Sequence, residues 1–226
     1  MNLSVKDAAQ LLSVSEKTIY RWLKQGLVPV YKVNESYRFK RAELLDWATS
    51  RRIGVAAEAF EEPESNAEPL PTLVDALELG GVFYRIEGNN RKEVLADAVN
   101  HLRLPDDFDR NYLHRVLIAR ERLGSTALGD GIAIPHPRSP GLLNLTRATV
   151  TLCFLEQPVD FKALDGRPVG VLLLILAPYL RAHLHLLSRL GFVLQDAGLR
   201  QALREVSSRE RIFSALKAAE ERIRQG

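Results

Sequence analysis

An acidic stretch between residues 54 and 71 sets the strongest limit on how this chain of 226 residues can fold. The stretch is rich in Ala, Glu, Pro, Ser and Asn, and residues 54–69 hold five Glu and no Lys or Arg. Such a segment cannot bury enough apolar surface to offset the entropy of ordering it, and its like charges repel. The sequence therefore predicts two domains, residues 1–53 and 72–226, joined by a linker over residues 54–71.

The charge of the chain is uneven, although its formal net charge is only +3. Residues 1–53 hold ten Lys and Arg against five Asp and Glu, so a basic domain precedes the acidic linker. This distribution is typical of proteins that bind nucleic acid. We therefore expect DNA or RNA to be a partner of the first domain.

Cysteine and histidine usage excludes several classes of site. The single cysteine, Cys153, lies in an apolar run, which excludes a disulfide framework and favours a reducing compartment. The five histidines lack cysteines or carboxylates at ligand spacing, so we expect no metal and no other cofactor.

The apolar runs are short. The longest, Val169–Ala177, has nine residues, which is too few to cross a bilayer, and the N-terminus lacks the layout of a signal peptide. The sequence therefore predicts a cytoplasmic protein that makes no membrane contact.

Two short helices at a tight turn are predicted in the first domain. Ser15 is a good N-cap for the second helix, Glu16–Gln25, and Gly26 ends it. A β-hairpin over residues 28–40 and an amphipathic helix over Arg41–Arg52 follow. Because the outer face of the second helix is basic and polar, the pattern favours a helix-turn-helix. A small helical domain with a solvated basic face is the alternative.

The sequence SVKDAAQLLSVSEKTIYRWLKQGLVPVYKV, with the later YRFKRAELLDW, resembles the excisionase/MerR-like winged helix-turn-helix family. In that family the second helix enters the major groove and the hairpin wing lies near the adjacent backbone. Asn34-Glu35 stands where the family more often has Gly with a basic or small residue, and Glu35 would repel phosphate. One module of this size buries little DNA surface, so we expect a homodimer on two half-sites. The resemblance implies DNA contacts from Ser15, Lys17, Thr18, Tyr20, Arg21, Lys24, Arg38 and Lys40.

The second domain alternates predicted strands and helices. Strands are predicted over residues 82–86, 146–155 and 169–177, and one of the helices between them over residues 109–120. This alternation predicts an α/β sandwich with a mixed sheet flanked by helices.

The segment Gly129–Arg138, GDGIAIPHPR, holds one histidine between two prolines. Pro135 and Pro137 lack an N–H and fix φ, so His136 cannot lie inside a helix or a central strand. The segment predicts a rigid, surface-reaching loop at the end of a strand, where α/β folds usually keep their chemistry. A turn that merely contains a histidine is the alternative.

Three motifs of the second domain, RERLGST, GDGIAIPHPR and HLHLLS, resemble the enzyme IIA domain of the phosphoenolpyruvate-dependent phosphotransferase system, of the mannitol/fructose type. Within that type, the motifs resemble those of the nitrogen-regulatory IIA proteins. The resemblance implies that His136 accepts a phosphoryl group from a small phosphocarrier protein, with Arg120 and His183 in the same pocket. Ser125, Thr126 and Arg138 are then the expected phosphate-binding residues.

The implied chemistry fits these residue types. A neutral imidazole can attack phosphorus near pH 7, because its ordinary pKa is about 6.5. A guanidinium supplies permanently charged donors to the oxygens of the transferring group. Residue 137 departs from the nitrogen-regulatory proteins, which usually have Gly there, because Pro137 offers no N–H to a phosphate.

Together the two resemblances predict a transcriptional regulator in which phosphorylation of His136 changes DNA binding. Such a domain forms a phosphohistidine as a relay component rather than acting as a turnover enzyme. Two alternatives remain: a component that passes phosphate to a sugar-specific IIB partner, and an interaction module in which His136 is inert.

Overall fold

The computed structural model describes residues 2–33, 36–51, 53, 70–143 and 145–225. The chain divides into two compact units, Met1–Pro69 and Leu70–Gly226. Residues 54–69 of the predicted linker lie outside the described residues, as do Asn34 and Glu35 of the predicted wing turn.

The first unit is a winged helix-turn-helix, as the sequence predicted. Ser4 begins the first helix with a capping box to Asp7, and Ser15 accepts a hydrogen bond from the backbone N–H of Thr18 at the start of the second. The strands form an antiparallel sheet in the order β1-β3-β2. The elements are β1 (Asn2–Leu3), α1 (Val5–Leu11), α2 (Glu16–Lys24), β2 (Tyr31–Val33), β3 (Ser36–Lys40) and α3 (Arg41–Ser50).

The core of the first unit holds α2 in place. Ile19 of α2 is buried together with Phe39 of β3 and Leu44 of α3. The rings of Trp22 and Trp47 meet edge to face with centroids 5.1 Å apart, which fixes α2 against α3. With this apolar face buried, the opposite face of α2 is left for other contacts.

The second unit is an α/β fold built on a five-stranded mixed sheet, which confirms the predicted fold class. The strand order is β4-β7-β8-β6-β5. The pairs β4/β7 and β6/β8 are parallel, whereas β7/β8 and β5/β6 are antiparallel. The elements are α4 (Leu73–Gly80), β4 (Val82–Ile86), α5 (Arg91–His101), α6 (Arg110–Leu123), β5 (Ala127–Gly129), β6 (Ile132–Ala133), a 3-10 helix (Pro140–Leu143), β7 (Thr149–Val159), β8 (Val169–Leu176), α7 (Leu180–Val193), α8 (Ala197–Arg204) and α9 (Arg209–Gln225).

Both faces of this sheet are buried by helices. Alternate residues of β7 and β8 point to opposite faces, so Leu152 and Leu173 join a cluster with α4, α7, α8 and α9. Cys153 and Leu172 join a second cluster with α5 and α6. Burial raises the pKa of the Cys153 thiol to about 12, in agreement with its predicted role as a small core residue.

One predicted boundary in this unit was wrong in a way that matters for the site. The helix expected over residues 109–120 continues as α6 to Leu123. Arg120 therefore lies within the last turn of α6 rather than at the final residue of the helix. Leu123, the last residue of α6, is apolar but exposed. The spacing of apolar residues in the sequence therefore does not mark where this helix ends.

Val206 holds an unfavourable backbone conformation, and its replacement by glycine is expected to stabilise the fold. It follows α8 with φ 49°, and it closes a Schellman motif in which Ser207 N donates to Ala202 O at 3.1 Å. A left-handed residue with a Cβ costs about 1–2 kcal/mol, more than the roughly 0.5–1 kcal/mol of extra entropy that Gly loses. Because Val206 is half exposed, little burial is lost. We expect Val206→Gly to raise the free energy of unfolding by about 0.5–1 kcal/mol in urea titrations.

The matched control is Val206→Ala, which keeps the Cβ and most of the strain, and which should change stability less. A Val206→Gly variant that unfolds at lower urea than the wild type would contradict this account.

Candidate active site and DNA interface

Three residues predicted for the phosphotransfer site converge in the second unit. Arg120 comes from the last turn of α6, His136 from the loop after β6, and His183 from the first turn of α7. All three are buried, and the His136 and His183 rings lie with their centroids 5.2 Å apart. Residues separated by more than 60 positions in sequence are thus packed into one pocket.

The sheet topology explains this convergence. Strands β6 and β8 are parallel neighbours, so their carboxyl ends meet at the same edge of the sheet. The chain after β6 continues alongside β8, where Ile175 N donates to Pro135 O at 3.1 Å. Helix α7 begins just beyond β8, which brings its first turn to the loop that carries His136.

Two hydrogen bonds fix the tautomer of His136. Its Nδ1 lies 2.6 Å from the carbonyl oxygen of Ile134, and its Nε2 lies 3.2 Å from Nε of Arg120. A carbonyl oxygen only accepts and a guanidinium only donates, so Nδ1 carries the proton and Nε2 carries the lone pair. The imidazole is therefore neutral in this arrangement, with a nucleophilic nitrogen directed at Arg120.

The predicted exposure of His136 was wrong, although the predicted loop is present. The two prolines do keep this residue out of helix and strand, but its side chain is only 2% exposed. Its ring is covered because α6 and α7 supply Arg120 and His183 from distant parts of the chain. The sequence around the histidine gives no sign of these neighbours.

The Arg120 guanidinium is held at two points. Besides the contact of its Nε with His136, its Nη1 donates to the carbonyl oxygen of Gly124 at 2.9 Å. A planar guanidinium held in this way is a preorganised source of positive charge beside the Nε2 atom.

Ser125 and Thr126 lie in the connection from α6 to β5, with their hydroxyls committed to other protein groups. Ser125 Oγ donates to Phe161 O at 2.6 Å. Thr126 donates to the Glu121 carboxylate from both its backbone N and its Oγ1, which lies 2.6 Å from Oε2. The predicted contact of either hydroxyl with phosphate would require one of these bonds to be exchanged.

Arg138 lines a groove beside Arg120. A cavity of about 230 Å³ separates α6 from the 3-10 helix and reaches Arg120. Leu123, at its rim, is 67% exposed. The groove is lined by Tyr112, Val116, Ala119, Arg120, Leu123, Arg138, Ser139 and Leu143.

His185 has a structural place outside the pocket, in agreement with the two-residue offset from His183 on a helix. Its Nε2 lies 3.1 Å from the carbonyl oxygen of Pro71 and therefore donates to it. Burial lowers the pKa of His185, and the nearby charge of Arg189 lowers it further. His185 thus helps to hold the start of the second unit.

Glu121 is a buried residue of this region that was not predicted from the sequence. It is 5% exposed, although it is an acid on α6, and all of its described partners lie within the second unit. The motif RERLGST offers one sign of it, because the acid that follows Arg120 lies on the face of the helix that is otherwise apolar.

On the first unit, the outer face of α2 carries the predicted DNA-contacting residues. Lys17, Tyr20, Arg21 and Lys24 are exposed, whereas Thr18 is half-buried. The Ser15 hydroxyl caps the helix by accepting from Thr18 N at 3.2 Å, so its oxygen is already used.

Strand β3 of the wing contributes an aromatic residue, Tyr37, that was not predicted. The same strand places Lys40 in an ion pair. The rings of Tyr20 and Tyr37 meet edge to face with centroids 6.5 Å apart, joining α2 to β3. Lys40 Nζ lies 3.2 Å from a carboxylate oxygen of Glu43, which raises the pKa of Lys40. Arg38 is half-buried and donates to the carbonyl oxygen of Tyr37 at 3.3 Å. A phosphate contact by Lys40 must therefore compete with Glu43.

Comparison with known families identifies both units. The sequence model for the phosphoenolpyruvate-dependent sugar phosphotransferase system, EIIA 2, matches residues 76–219, which is more than half of the chain. This chain belongs to the EIIA 2 family. A helix-turn-helix domain model matches residues 3–52, ahead of the EIIA domain.

Relatives of the EIIA domain include nitrogen regulatory proteins. One from Pseudomonas aeruginosa is 38% identical over 138 residues, which is 59% of this chain and 87% of that protein. The crystal structure of the nitrogen regulatory protein IIA-Ntr from Neisseria meningitidis is similar with a TM-score of 0.53 at 33% identity, covering 60% of this chain and 92% of that one.

A more distant structure shares the fold of the EIIA domain. It is the complex of the mannitol enzyme IIA with phosphorylated mannitol enzyme IIB from Escherichia coli, with a TM-score of 0.50 at 19% identity, covering 61% of this chain and 94% of that one.

Within the described ranges, no helix is both long and apolar enough to span a membrane. No group of three or more His, Cys, Asp or Glu side chains in the same ranges could hold a metal ion.

Proposed function

We propose that this chain is a DNA-binding transcriptional regulator whose EIIA domain accepts a phosphoryl group on His136 from a phosphocarrier protein, and that this modification changes DNA binding. The observation that carries the proposal is the protonation of His136. With Nδ1–H on the Ile134 carbonyl and Arg120 at Nε2, the ring presents one nucleophilic nitrogen beside a fixed positive charge.

The transfer step follows from this geometry. The Nε2 lone pair of His136 forms a bond to phosphorus, while the bond between phosphorus and the carrier breaks and its electron pair leaves with the carrier. Nδ1 keeps its proton on Ile134 O, so the ring becomes cationic as it gains the phosphoryl group. Arg120 gives up Nε2 as the group enters and pairs with the phosphoryl oxygens instead.

His183 and Pro137 complete the surroundings of the phosphoryl group. The His183 ring, 5.2 Å from that of His136, is near enough to meet a group bound at Nε2. Pro137 adds no backbone donor, so in this chain the side chains of Arg120 and His183 carry more of the charge stabilisation than they would beside a glycine.

The groove beside Arg120 supports a macromolecular donor. It combines exposed apolar area at Leu123 and Tyr112 with the cations Arg120 and Arg138. An apolar surface with embedded arginines suits a protein partner that carries an anionic phosphoryl group. Because His136 is only 2% exposed, Arg120 has to leave Nε2 before the phosphoryl group of the partner can reach it.

The basic face of α2 supports the DNA part of the proposal, and Arg21→Ala provides a test. Loss of one phosphate contact is expected to weaken binding about tenfold and to reduce the slope of log affinity against log salt by about 0.9. The measurement is fluorescence anisotropy with promoter DNA over a salt series. The control is Lys6→Ala, because Lys6 is an exposed cation on α1 rather than α2. Equal salt slopes for Arg21→Ala and the wild type would contradict the assigned face.

The proposed coupling is tested by a gel-shift titration of the chain against its own promoter region. The titration is repeated after phosphorylation by phosphoenolpyruvate, the general first enzyme and the phosphocarrier. The added charge and acceptor oxygens are expected to change the protein concentration at which half of the DNA is bound. Identical midpoints would contradict the switch while leaving phosphoryl acceptance intact. Rapid passage of the phosphoryl group to a sugar-specific IIB protein would favour a relay role instead.

A further inference from the structure

We infer that Glu121 is the positioning residue that holds His136 in its reactive tautomer, an inference that rests on the proposed phosphoryl acceptance by His136. Glu121 is 5% exposed and sits next to Arg120 on α6. Burying a carboxylate costs free energy unless its oxygens accept hydrogen bonds or pair with a cation. The partners of Glu121 therefore indicate which part of the structure it positions.

The Glu121 carboxylate accepts hydrogen bonds from the connection between α6 and β5. Thr126 donates its backbone N–H at 3.1 Å and its hydroxyl at 2.6 Å to the Oε2 atom. Arg91 Nη1 lies 3.6 Å from Oε1 and balances the charge from the other side. The connection is therefore fixed by charge-assisted hydrogen bonds rather than by the short strand that follows it.

From Thr126 a continuous series of hydrogen bonds leads to the imidazole. Thr126 O accepts from Ile134 N at 3.0 Å, and Ile134 O accepts from His136 Nδ1 at 2.6 Å. The Ile134 carbonyl that selects the Nδ1–H tautomer thus belongs to a segment whose own N–H is held by Thr126. Without the hydrogen bonds from Thr126 to Glu121, this segment is held less firmly, and the His136 ring can rotate or exchange its tautomer.

Glu121 also acts on the second partner of the histidine. The Arg120 guanidinium is anchored by Gly124 O, which lies in the same connection between Glu121 and Thr126. One carboxylate therefore braces the donor at Nε2 and the acceptor at Nδ1. Neither contact brings Glu121 itself to the reacting atoms, which is why it positions rather than catalyses.

The experiment compares Glu121→Gln, Thr126→Val and Thr126→Ser in the full chain. The first readout is the tautomer of His136, followed by the ¹⁵N shifts of its imidazole. The second is the rate of phosphoryl uptake over a range of phosphocarrier concentrations. The matched control is Glu205→Gln, because Glu205 pairs with Arg211 at 2.8 Å on the exposed surface after α8.

We expect Glu121→Gln and Thr126→Val to populate the Nε2–H tautomer and to lower the maximal uptake rate about tenfold. The carrier concentration at half-maximal rate should not change, because the groove is untouched. Thr126→Ser, which keeps the hydroxyl, should keep the wild-type tautomer of His136, and Glu205→Gln should behave as the wild type in both readouts. These last two variants separate the loss of one bond from a general disturbance of the fold.

An unchanged tautomer in both Glu121→Gln and Thr126→Val would overturn the inference, whether or not the uptake rate falls. If the wild-type chain takes up no phosphoryl group, the proposed function fails, but the ¹⁵N measurement still decides whether Glu121 sets the state of the ring.

Discussion

Replacement of His136 by glutamine is expected to abolish phosphoryl uptake, with a loss of more than about 1,000-fold in rate. Glutamine is similar in length and keeps a polar group near the position of the imidazole Nε2. Its amide carries no lone pair that could attack phosphorus in place of the imidazole Nε2. The measurement is transfer of labelled phosphate from the phosphocarrier to the full chain. The DNA affinity of His136→Gln should equal that of the unmodified wild type, because no phosphoryl group can be added.

His101→Gln is the control for this experiment. His101 is an exposed histidine at the end of α5, and its Nδ1 lies 2.9 Å from Asp97 O. Its replacement should leave uptake unchanged. Uptake by His136→Gln at the wild-type rate would remove the assignment of the acceptor, and with it the mechanism by which the EIIA domain is proposed to act.

Replacement of Arg120 by lysine is expected to lower the rate of uptake about 100-fold, although the positive charge is kept. Lysine has no donor at the Nε position and no fork, so it cannot meet His136 Nε2 and Gly124 O together. The phosphoryl oxygens then face a mobile charge in place of a fixed one. The measurement is the single-turnover rate at saturating phosphocarrier.

The same substitution at Arg122 gives the comparison, because Arg122 is an exposed arginine on the same helix. Arg122→Lys should retain the wild-type rate. An Arg120→Lys variant as fast as Arg122→Lys would mean that charge alone is sufficient and that the geometry of the guanidinium has no part in the transfer.

Much of the fold could be predicted from local patterns. The strand Val82–Ile86 was predicted with the bounds that the structure gives, because its apolar residues are bracketed by glycine and turn residues. Ser15 and Gly26 marked the ends of α2 through capping chemistry that acts within a few residues. Strand β5, with three residues, is too short to leave such a pattern.

The site was predictable only in part, since its residue types follow from motifs but its contacts follow from packing. Two prolines suffice to place His136 in a loop. Its burial depends on α6, which precedes it in the sequence, and on α7, which follows it more than 40 positions later. Ser125 was expected to face phosphate, yet its hydroxyl donates to Phe161 O, a partner 36 positions away. Such choices between competing acceptors are settled by tertiary structure.

The most direct test of the central claim is a mass measurement on the peptide that contains His136. The chain is incubated with phosphoenolpyruvate, the general first enzyme and the phosphocarrier, and is then digested without exposure to acid. We expect one added phosphoryl group, on His136, that depends on the carrier. An unmodified peptide after complete phosphorylation of the carrier, or a phosphoryl group on a different residue, would contradict it.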